Sequence, residues 1–453
     1  MRRREFMKSS TLAALAAGSL QRASARSAKP QNVVLFVADD WGTDDAGCYG
    51  NPAIKTPGLD SLAAEGVRFT HSFCTTASCS ASRSVILSGL HNHKTGQYGH
   101  AHAYHHFVSF PDLKTLPARL SEAGYRTLCA GKYHVAPEPV YPFDRFQKRL
   151  DPPEMAEACR EFLEEESDRP FFLYFCTTEP HRNFNRKGSD PVDPKDVVVP
   201  DYLPDTPECR EELAQYYGSV QLADKGLARL IGILKEAGHW EDTLFIFISD
   251  NGVAFPGAKT NLYEPGARLP CVIHDPASDR TNETCDAMMT WADLAPTILE
   301  WTGVSYDPGG FHGRSFLEPL RGGDASGWEE VFLSHTFHEI TMYYPMRVVR
   351  TRKYKLIWNV AHGLDFPFAS DLYESTTWQG ILKRGETLYG KRTVEAYLHR
   401  PKFELYDLEK DPDEVVNLAE DPKHAADLAD LKGKLLDFQE RTGDPWRLKW
   451  RYE

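Results

Sequence analysis

Asp39-Asp40 and Asp250-Asn251 each close an apolar run, Asn32–Ala38 and Thr243–Ser249 respectively. Together they offer three carboxylates and one amide, all oxygen donors, the set that suits a hard cation: calcium, or with less preference magnesium. A single Asp-Asp pair is often only a solvated strand end, but two acidic ends in the same setting favour a metal. Cys79 opens Cys-Ser-Ala-Ser-Arg, just ahead of the apolar stretch Val85-Ile86-Leu87. A residue placed before a helix faces free N–H groups, which favour an anion. Lys132 and His134 in Gly-Lys-Tyr-His, His181 in Glu-Pro-His and Lys259 in Ala-Lys-Thr-Asn add cations and imidazoles. Taken singly, each reads as a surface lysine or a satisfied histidine. Imidazoles are also the side chains that give and take protons near neutral pH.

These residues need a scaffold that brings them together. Over the first two-thirds of the chain, short apolar runs alternate with helical patterns. Asn32–Ala38, Leu128–Ala130, Phe171–Cys176 and Thr243–Ser249 read as buried strands, and Glu211 to Ala237 as a long amphipathic helix. Thr56, followed by Pro57 and closed by Gly66, reads as a capped helix. The alternation predicts a largely parallel sheet covered by helices, with ligands at the carboxyl ends of its strands. Asp39-Asp40, Lys132-Tyr133-His134, His181 and Asp250-Asn251 all fall at such ends. From about Trp328 the pattern changes. Val331–Ser334, Met346–Arg350, Lys355–Val360 and Phe403–Asp407 read as strands, with a final helix over Ala425 to Thr442. This predicts a smaller sheet-and-helix domain.

The balance of 41% hydrophobic and 26% charged residues over 453 positions suits one large domain with a smaller companion. A net charge of −13 gives no reason to expect nucleic acid or an anionic membrane as partner. An anionic substrate stays open, because local cations outweigh a distant negative surface. The nine cysteines show no CxxC pair and no zinc spacing, and their pairing is not legible. At the start, Arg2-Arg3-Arg4 precedes a mild apolar stretch from Leu12 to Leu20 and then Ala23-Ser24-Ala25. That order predicts a cleavable signal over residues 1–25, similar to the twin-arginine kind, and export to a periplasmic or extracellular space. No later apolar run is long enough to cross a bilayer.

Cys79-Ser80-Ala81-Ser82-Arg83, with Leu87-Ser88-Gly89 downstream, resembles the signature of the formylglycine-dependent sulfatase family. Ala81 stands where proline is commoner. The resemblance implies an alkaline-phosphatase-like α/β domain over residues 31–325 and a smaller α+β domain over 326–453. It also implies that a maturation enzyme oxidises Cys79 to formylglycine. The hydrated aldehyde offers one hydroxyl for attack on sulfur and a second whose deprotonation expels sulfate, whereas serine would be left as a sulfate ester. Carried over residue by residue, Asp39, Asp40, Asp250 and Asn251 bind calcium together with the group at Cys79. Arg83 holds the diol, and Lys132 and Lys259 meet sulfate oxygens. His181 protonates the leaving group and His134 takes the diol proton. Glu179 stands where the family often has a second histidine, which leaves the orientation of His181 open.

Further blocks resemble the heparan N-sulfatase branch of that family: Tyr98-Gly99-His100 with His105-His106-Phe107, Thr260-Asn261-Leu262-Tyr263, and His338-Glu339-Ile340-Thr341-Met342 with Tyr344-Pro345-Met346-Arg347. They imply hydrolysis of the N-sulfate of a terminal glucosamine in heparan sulfate or heparin fragments, with His338, Glu339 and Arg347 near the sugar. An O-sulfatase on a related glycan and a phosphodiester or phosphonate hydrolase of the same fold are the alternatives. A carbohydrate-binding protein without catalysis would leave the nucleophile and proton carriers without a role.

Overall fold

A computed structural model of the chain describes residues 32–452 except Asn185, so the expected signal segment lies outside the described residues. The main sheet has eight strands: β1 (Asn32–Ala38), β2 (Val67–Phe69), β3 (Arg126–Gly131), β4 (Arg145–Gln147), β5 (Phe171–Cys176), β6 (Thr243–Ser249), β7 (Cys271–His274) and β8 (Glu283–Cys285). Their spatial order is β4-β3-β5-β1-β6-β7-β2-β8. The first five in that order run parallel, and β7 is antiparallel to both β6 and β2. Every residue of β1, β5 and β6 is buried, which is why these strands read as unbroken apolar runs rather than alternating ones. Phe36 stacks on Phe175 and Phe247 across these three strands, with ring centroids 5.1 and 5.4 Å apart.

Helices α1 (Pro57–Ala64), α2 (Cys79–Ser88) and α3 (Pro207–Glu236) pack around this sheet. Thr56 occupies the position before α1, but its hydroxyl serves Gly47 N and Asp60 instead of capping. The cap comes from afar: the Asp224 carboxylate on α3 accepts from Gly58 N and Leu59 N at 2.8 and 2.7 Å. Helix α3 starts four residues before the expected Glu211, because Thr206 accepts from Cys209 N and Pro207 fits the first turn.

The second sheet is antiparallel, with order β9 (Glu330–His335), β10 (Met346–Thr351), β11 (Tyr354–Asn359) and β12 (Phe403–Asp407). Its two faces alternate as a pleated strand requires. Val348, Ile357 and Tyr406 join the main core, while Val349, Leu356, Trp358 and Leu405 form a second core with Leu431 and Leu435 of α4 (Ala425–Thr442). The first core therefore runs without a break from the large sheet onto the small one. That continuity lets loops of the second sheet reach the carboxyl ends of the first. All nine cysteines are free and eight are buried. Among the described residues no helix is long and apolar enough to cross a membrane.

Candidate active site

Four neighbouring parallel strands, β3, β5, β1 and β6, deliver Lys132 and His134, His181, Asp39-Asp40, and Asp250-Asn251 to one edge of the sheet. Gly131 makes the exit from β3 possible. Its φ is 84°, and a Cβ there would lie 2.1 Å from the Cys176 carbonyl. Asp40, His134 and Thr260 also take left-handed φ values of 69°, 51° and 67°. Such conformations are unfavourable for L side chains and persist where surrounding bonds over-determine them. Here Asp40 N donates to Asp250 Oδ1 at 3.2 Å, and Thr260 N donates to Ala77 O at 2.9 Å.

Helix α2 brings the nucleophile position into this edge. All ten of its residues are buried, and Gly89, with φ 70°, ends it. Cys79 Sγ lies 3.8 Å from Asp40 Oδ1. Burial pushes the Cys79 thiol well above the ordinary cysteine range, although Lys132 and Lys259 pull the other way. As a plain thiol, Cys79 is therefore protonated and a weak nucleophile. One turn on, Arg83 Nε donates to Asp250 Oδ2 at 2.9 Å and Nη1 to Lys132 O at 3.0 Å. Ser82 Oγ donates to Asp250 O at 2.6 Å, which ties the helix to the end of β6.

The acidic groups converge. One ligand atom each from Asp39, Asp40, Cys79 and Asp250 lies within 4.8 Å of all the others. Asp39 Oδ1 and Asn251 Oδ1 are buried with no hydrogen-bond partner, and acceptors in that state fit a cation. Asn251 Nδ2 meanwhile donates to Asp40 Oδ1 at 2.5 Å and so turns its own oxygen inward. Burial and the neighbouring Asp39 charge raise Asp250 to about 7. Burial alone would raise Asp39 as well, but Lys132, His181, Arg83 and Lys259 hold it far below the usual carboxylate range. Lys132 Nζ sits 2.5 Å from Asp39 Oδ2.

Lys259 Nζ stands 3.0 Å from each of Asp40 Oδ2, His181 Nε2 and Asp371 Oδ2. His181 Nδ1 lies 2.5 Å from the Arg182 carbonyl, an oxygen that only a ring N–H can satisfy. Its Nε2 is therefore the acceptor facing Lys259, and Nε2 is the atom aimed into the site. This settles the orientation left open by Glu179. Glu179 is buried with Arg186 at 3.1 Å, and a backbone carbonyl does the holding. His134 Nε2 meets His102 Nδ1 at 2.7 Å, and His100 Nε2 meets His338 Nε2 at 3.0 Å, so these four rings form an imidazole wall. Burial pushes His100, His134 and His338 well below ordinary histidine, with nearby cations adding to the effect, so the wall is uncharged near neutral pH.

The structure thus brings together all ten residues expected to carry catalysis or metal: Asp39, Asp40, Cys79, Arg83, Lys132, His134, His181, Asp250, Asn251 and Lys259 belong to one connected cluster. The three expected sugar contacts separate. His338 reaches the cluster through Ser78, the residue before Cys79, at 3.0 Å. Glu339 sits at its margin, where it accepts from Ser370 N and Oγ at 3.0 and 2.6 Å. Arg347 is elsewhere: it is 1% exposed, and its guanidinium is taken by Asp444 at 2.5 and 3.1 Å. Asp371 and His102 escaped the sequence reading. Asp371 carries no local signal beyond Ser-Asp-Leu-Tyr and lies 112 positions from Lys259. His102 stands in a histidine-rich run from 100 to 106, where nothing local in the sequence sets it apart from its neighbours.

The sequence model of the sulfatase family matches residues 31–304, and that of the N-sulphoglucosamine sulphohydrolase C-terminal region matches residues 258–369. The chain is 38% identical to human N-sulphoglucosamine sulphohydrolase over 92% of each protein. It is 28% identical to an ulvan-active sulfatase of Formosa agariphila, covering 94% of this chain and 83% of that one. Among solved structures, a protein in complex with its substrate D-glucosamine-2-N,6-O-disulfate superposes with a TM-score of 0.71 at 20% identity, covering 92% of this chain and 99% of the other. The phosphonate monoester hydrolase of Agrobacterium radiobacter superposes with a TM-score of 0.70 at 19% identity, covering 91% and 96%. These two share the fold. With more than half its length matched by the family model and this cluster at its sheet edge, the chain belongs to the sulfatase family.

Proposed function

We propose that this chain hydrolyses the N-sulfate of a terminal N-sulfoglucosamine in heparan sulfate or heparin fragments, after a maturation enzyme has oxidised Cys79 to formylglycine. Residues 31–325 form the catalytic part, and residues 326–453 form a smaller part that lends the pocket His338. Asp39, Asp40, Asp250 and Asn251 would hold a calcium ion, which would neutralise carboxylate charge and draw negative charge toward the sulfate position. Charge balance supports a sulfate monoanion as substrate. Asp39, Asp40, Asp250 and Asp371 face Arg83, Lys132 and Lys259, so a divalent cation turns a net deficit of one into a surplus of one.

Within that setting the chain's own groups have separate tasks. Lys132 and Lys259 are placed to bind sulfate oxygens, and Arg83 holds Asp250 and the end of β3 in register. His181 Nε2 points to where a leaving group would be, and His134 stands ready to accept a proton. The observation that carries the N-sulfate reading is the 38% identity to the human N-sulphoglucosamine sulphohydrolase over 92% of both chains. The C-terminal match from 258 to 369 also covers Lys259, His338 and Glu339. Export follows from the twin-arginine-like start, Arg2-Arg3-Arg4 ahead of a weak apolar core.

The test is sulfate release from N-sulfoglucosamine against glucosamine-6-sulfate, using calcium-loaded enzyme with formylglycine at position 79. The N-sulfate should be cleaved with higher kcat/KM. Preference for the 6-O-sulfate would leave only the broader sulfatase assignment, and preference for a phosphonate monoester would favour the activity of the Agrobacterium relative.

A further inference from the structure

A carboxylate is an unexpected neighbour for a bound sulfate, yet Asp371 stands at the heart of this pocket. It lies in a short helix, Ser370–Tyr373, and its side chain remains 24% exposed beside Lys259, which is 1% exposed. Its Oδ2 is 3.0 Å from Lys259 Nζ and 4.0 Å from His181 Nε2, the ring atom aimed at the leaving group. Burial alone would raise its pKa, but Lys259 and His181 hold it at about 2, so it is ionised throughout the neutral range. Lys259 has a second carboxylate, Asp40, also 3.0 Å away.

The resemblance points to a different carboxylate, Glu339, near the sugar. In the structure Glu339 spends its Oε1 on Ser370 N and Ser370 Oγ. It therefore grips the residue immediately before Asp371, at the margin of the cluster where its charge also reaches His102.

We infer that Asp371 is the group that meets the nitrogen of the scissile bond and selects an N-sulfate over an O-sulfate, with Glu339 as its positioning residue. The inference rests on the N-sulfate reading above and deepens it. When the S–N bond breaks, its electron pair stays on nitrogen and sulfur passes to the oxygen nucleophile at position 79. One proton from Lys259 Nζ, relayed through the accepting His181 Nε2 3.0 Å away, completes a neutral amine. A second, taken from water, gives an ammonium, since simple amines of this kind hold a proton near neutral pH. An O-sulfate leaves behind only a neutral hydroxyl. A carboxylate within reach of His181 attracts the nascent cation in the first case and gains little in the second.

Three substrates separate the possibilities: N-sulfoglucosamine, glucosamine-6-sulfate and 4-nitrophenyl sulfate, each assayed with wild type, Asp371→Asn, Asp371→Glu and Glu339→Gln. In Asp371→Asn the ratio of kcat/KM for N-sulfoglucosamine to that for 4-nitrophenyl sulfate should fall about 30-fold, the size of a lost charged hydrogen bond. Inhibition by glucosamine should weaken in parallel. Asp371→Glu keeps the charge and should keep most of that ratio. Glu339→Gln should lower the ratio in the same direction but about 5-fold, as loss of a single neutral-strength bond would. A ratio unchanged in Asp371→Asn, with all substrates losing together, overturns the inference and leaves Asp371 as a partner of Lys259. A wild type that releases sulfate only from the 6-O position overturns the N-sulfate reading itself, and this inference with it.

Discussion

Two clusters of buried charge sit on the same continuous core and are built on opposite plans. Around Arg347 every strong group is answered. Its Nε and Nη2 fork onto Asp444, Nη1 donates to the His335 and Met346 carbonyls, and Asp444 also accepts from Gln439 and Trp446 N. The guanidinium lies 4.7 Å from the Trp446 ring centroid, which closes its remaining face. Around Asp39 and Asp40, by contrast, Asp39 Oδ1, Asn251 Oδ1 and Arg83 Nη2 are buried without a hydrogen-bond partner, Arg83 Nη2 and Asp39 Oδ1 facing each other only at 3.9 Å. A buried network is either complete, and then fixes one arrangement, or incomplete, and then costs stability unless something binds. Arg347–Asp444 ties β10 to the chain end after α4 and is architecture. The Asp39–Asp250 cluster leaves buried acceptors open to a cation.

The contrast is broken most strongly by Asp250→Ala. Removing this carboxylate takes a ligand from the cation and the anchor from Arg83, so bound calcium and turnover should disappear together, activity by about 1,000-fold or more. Calcium content by elemental analysis and sulfate release on the same preparation check it. A variant retaining both would show that the metal lies elsewhere.

The complementary substitution is Arg347→Met, which strands Asp444 in the core. Loss of one member of a buried pair costs about 3–5 kcal/mol, so urea unfolding should show a large drop in stability. Turnover per folded molecule should stay near wild type, because Arg347 touches nothing in the catalytic cluster. A severe loss of kcat/KM in folded Arg347→Met would restore Arg347 to the sugar pocket.

That pair of outcomes also measures what a sequence discloses. Asp39, Asp40, Lys132, His181, Asp250 and Asn251 are legible because each ends or closely follows an apolar strand, and the carboxyl-end rule converts strand ends into one place. Strands β1, β5, β6 and β12 and helix α4 match their expected limits, the first three as short unbroken apolar runs bounded by polar or turn residues. Arg347 was misplaced for a physical reason: a residue block shared with relatives reports equally on a binding surface and on a satisfied core pair, and only contacts tell them apart. Asp371 was invisible because its partners, Lys259 and His181, come from other elements and no local pattern announces them. The capping of α1 by Asp224 failed to show for the same reason.

The smallest expected effect is a difference of sign in pH dependence. Asp444 is held well below the ordinary aspartate range, burial working against it and Arg347 outweighing burial. A carboxylate lowered on folding contributes stability above its unfolded value, about 3.9, and loses it as pH falls through the folded value. This cluster should therefore weaken only in acid, below about pH 4. Asp250 goes the other way in metal-free protein, since its carboxyl is raised to about 7 by burial and by Asp39. There the unfolded chain releases its proton first, so stability declines as pH climbs from about 4 to about 7. Asp39, held low, acts in the acid window and does not mask this decline. Calcium would replace the proton on Asp250 and remove the penalty. The gap in Tm between calcium-loaded and chelator-treated protein should thus widen from pH 5 to pH 7.5, while Asp250→Asn should show no such widening. A gap that stays constant over that range would mean the cluster is already neutralised without a cation, and the comparison between the two charge clusters would lose its physical basis.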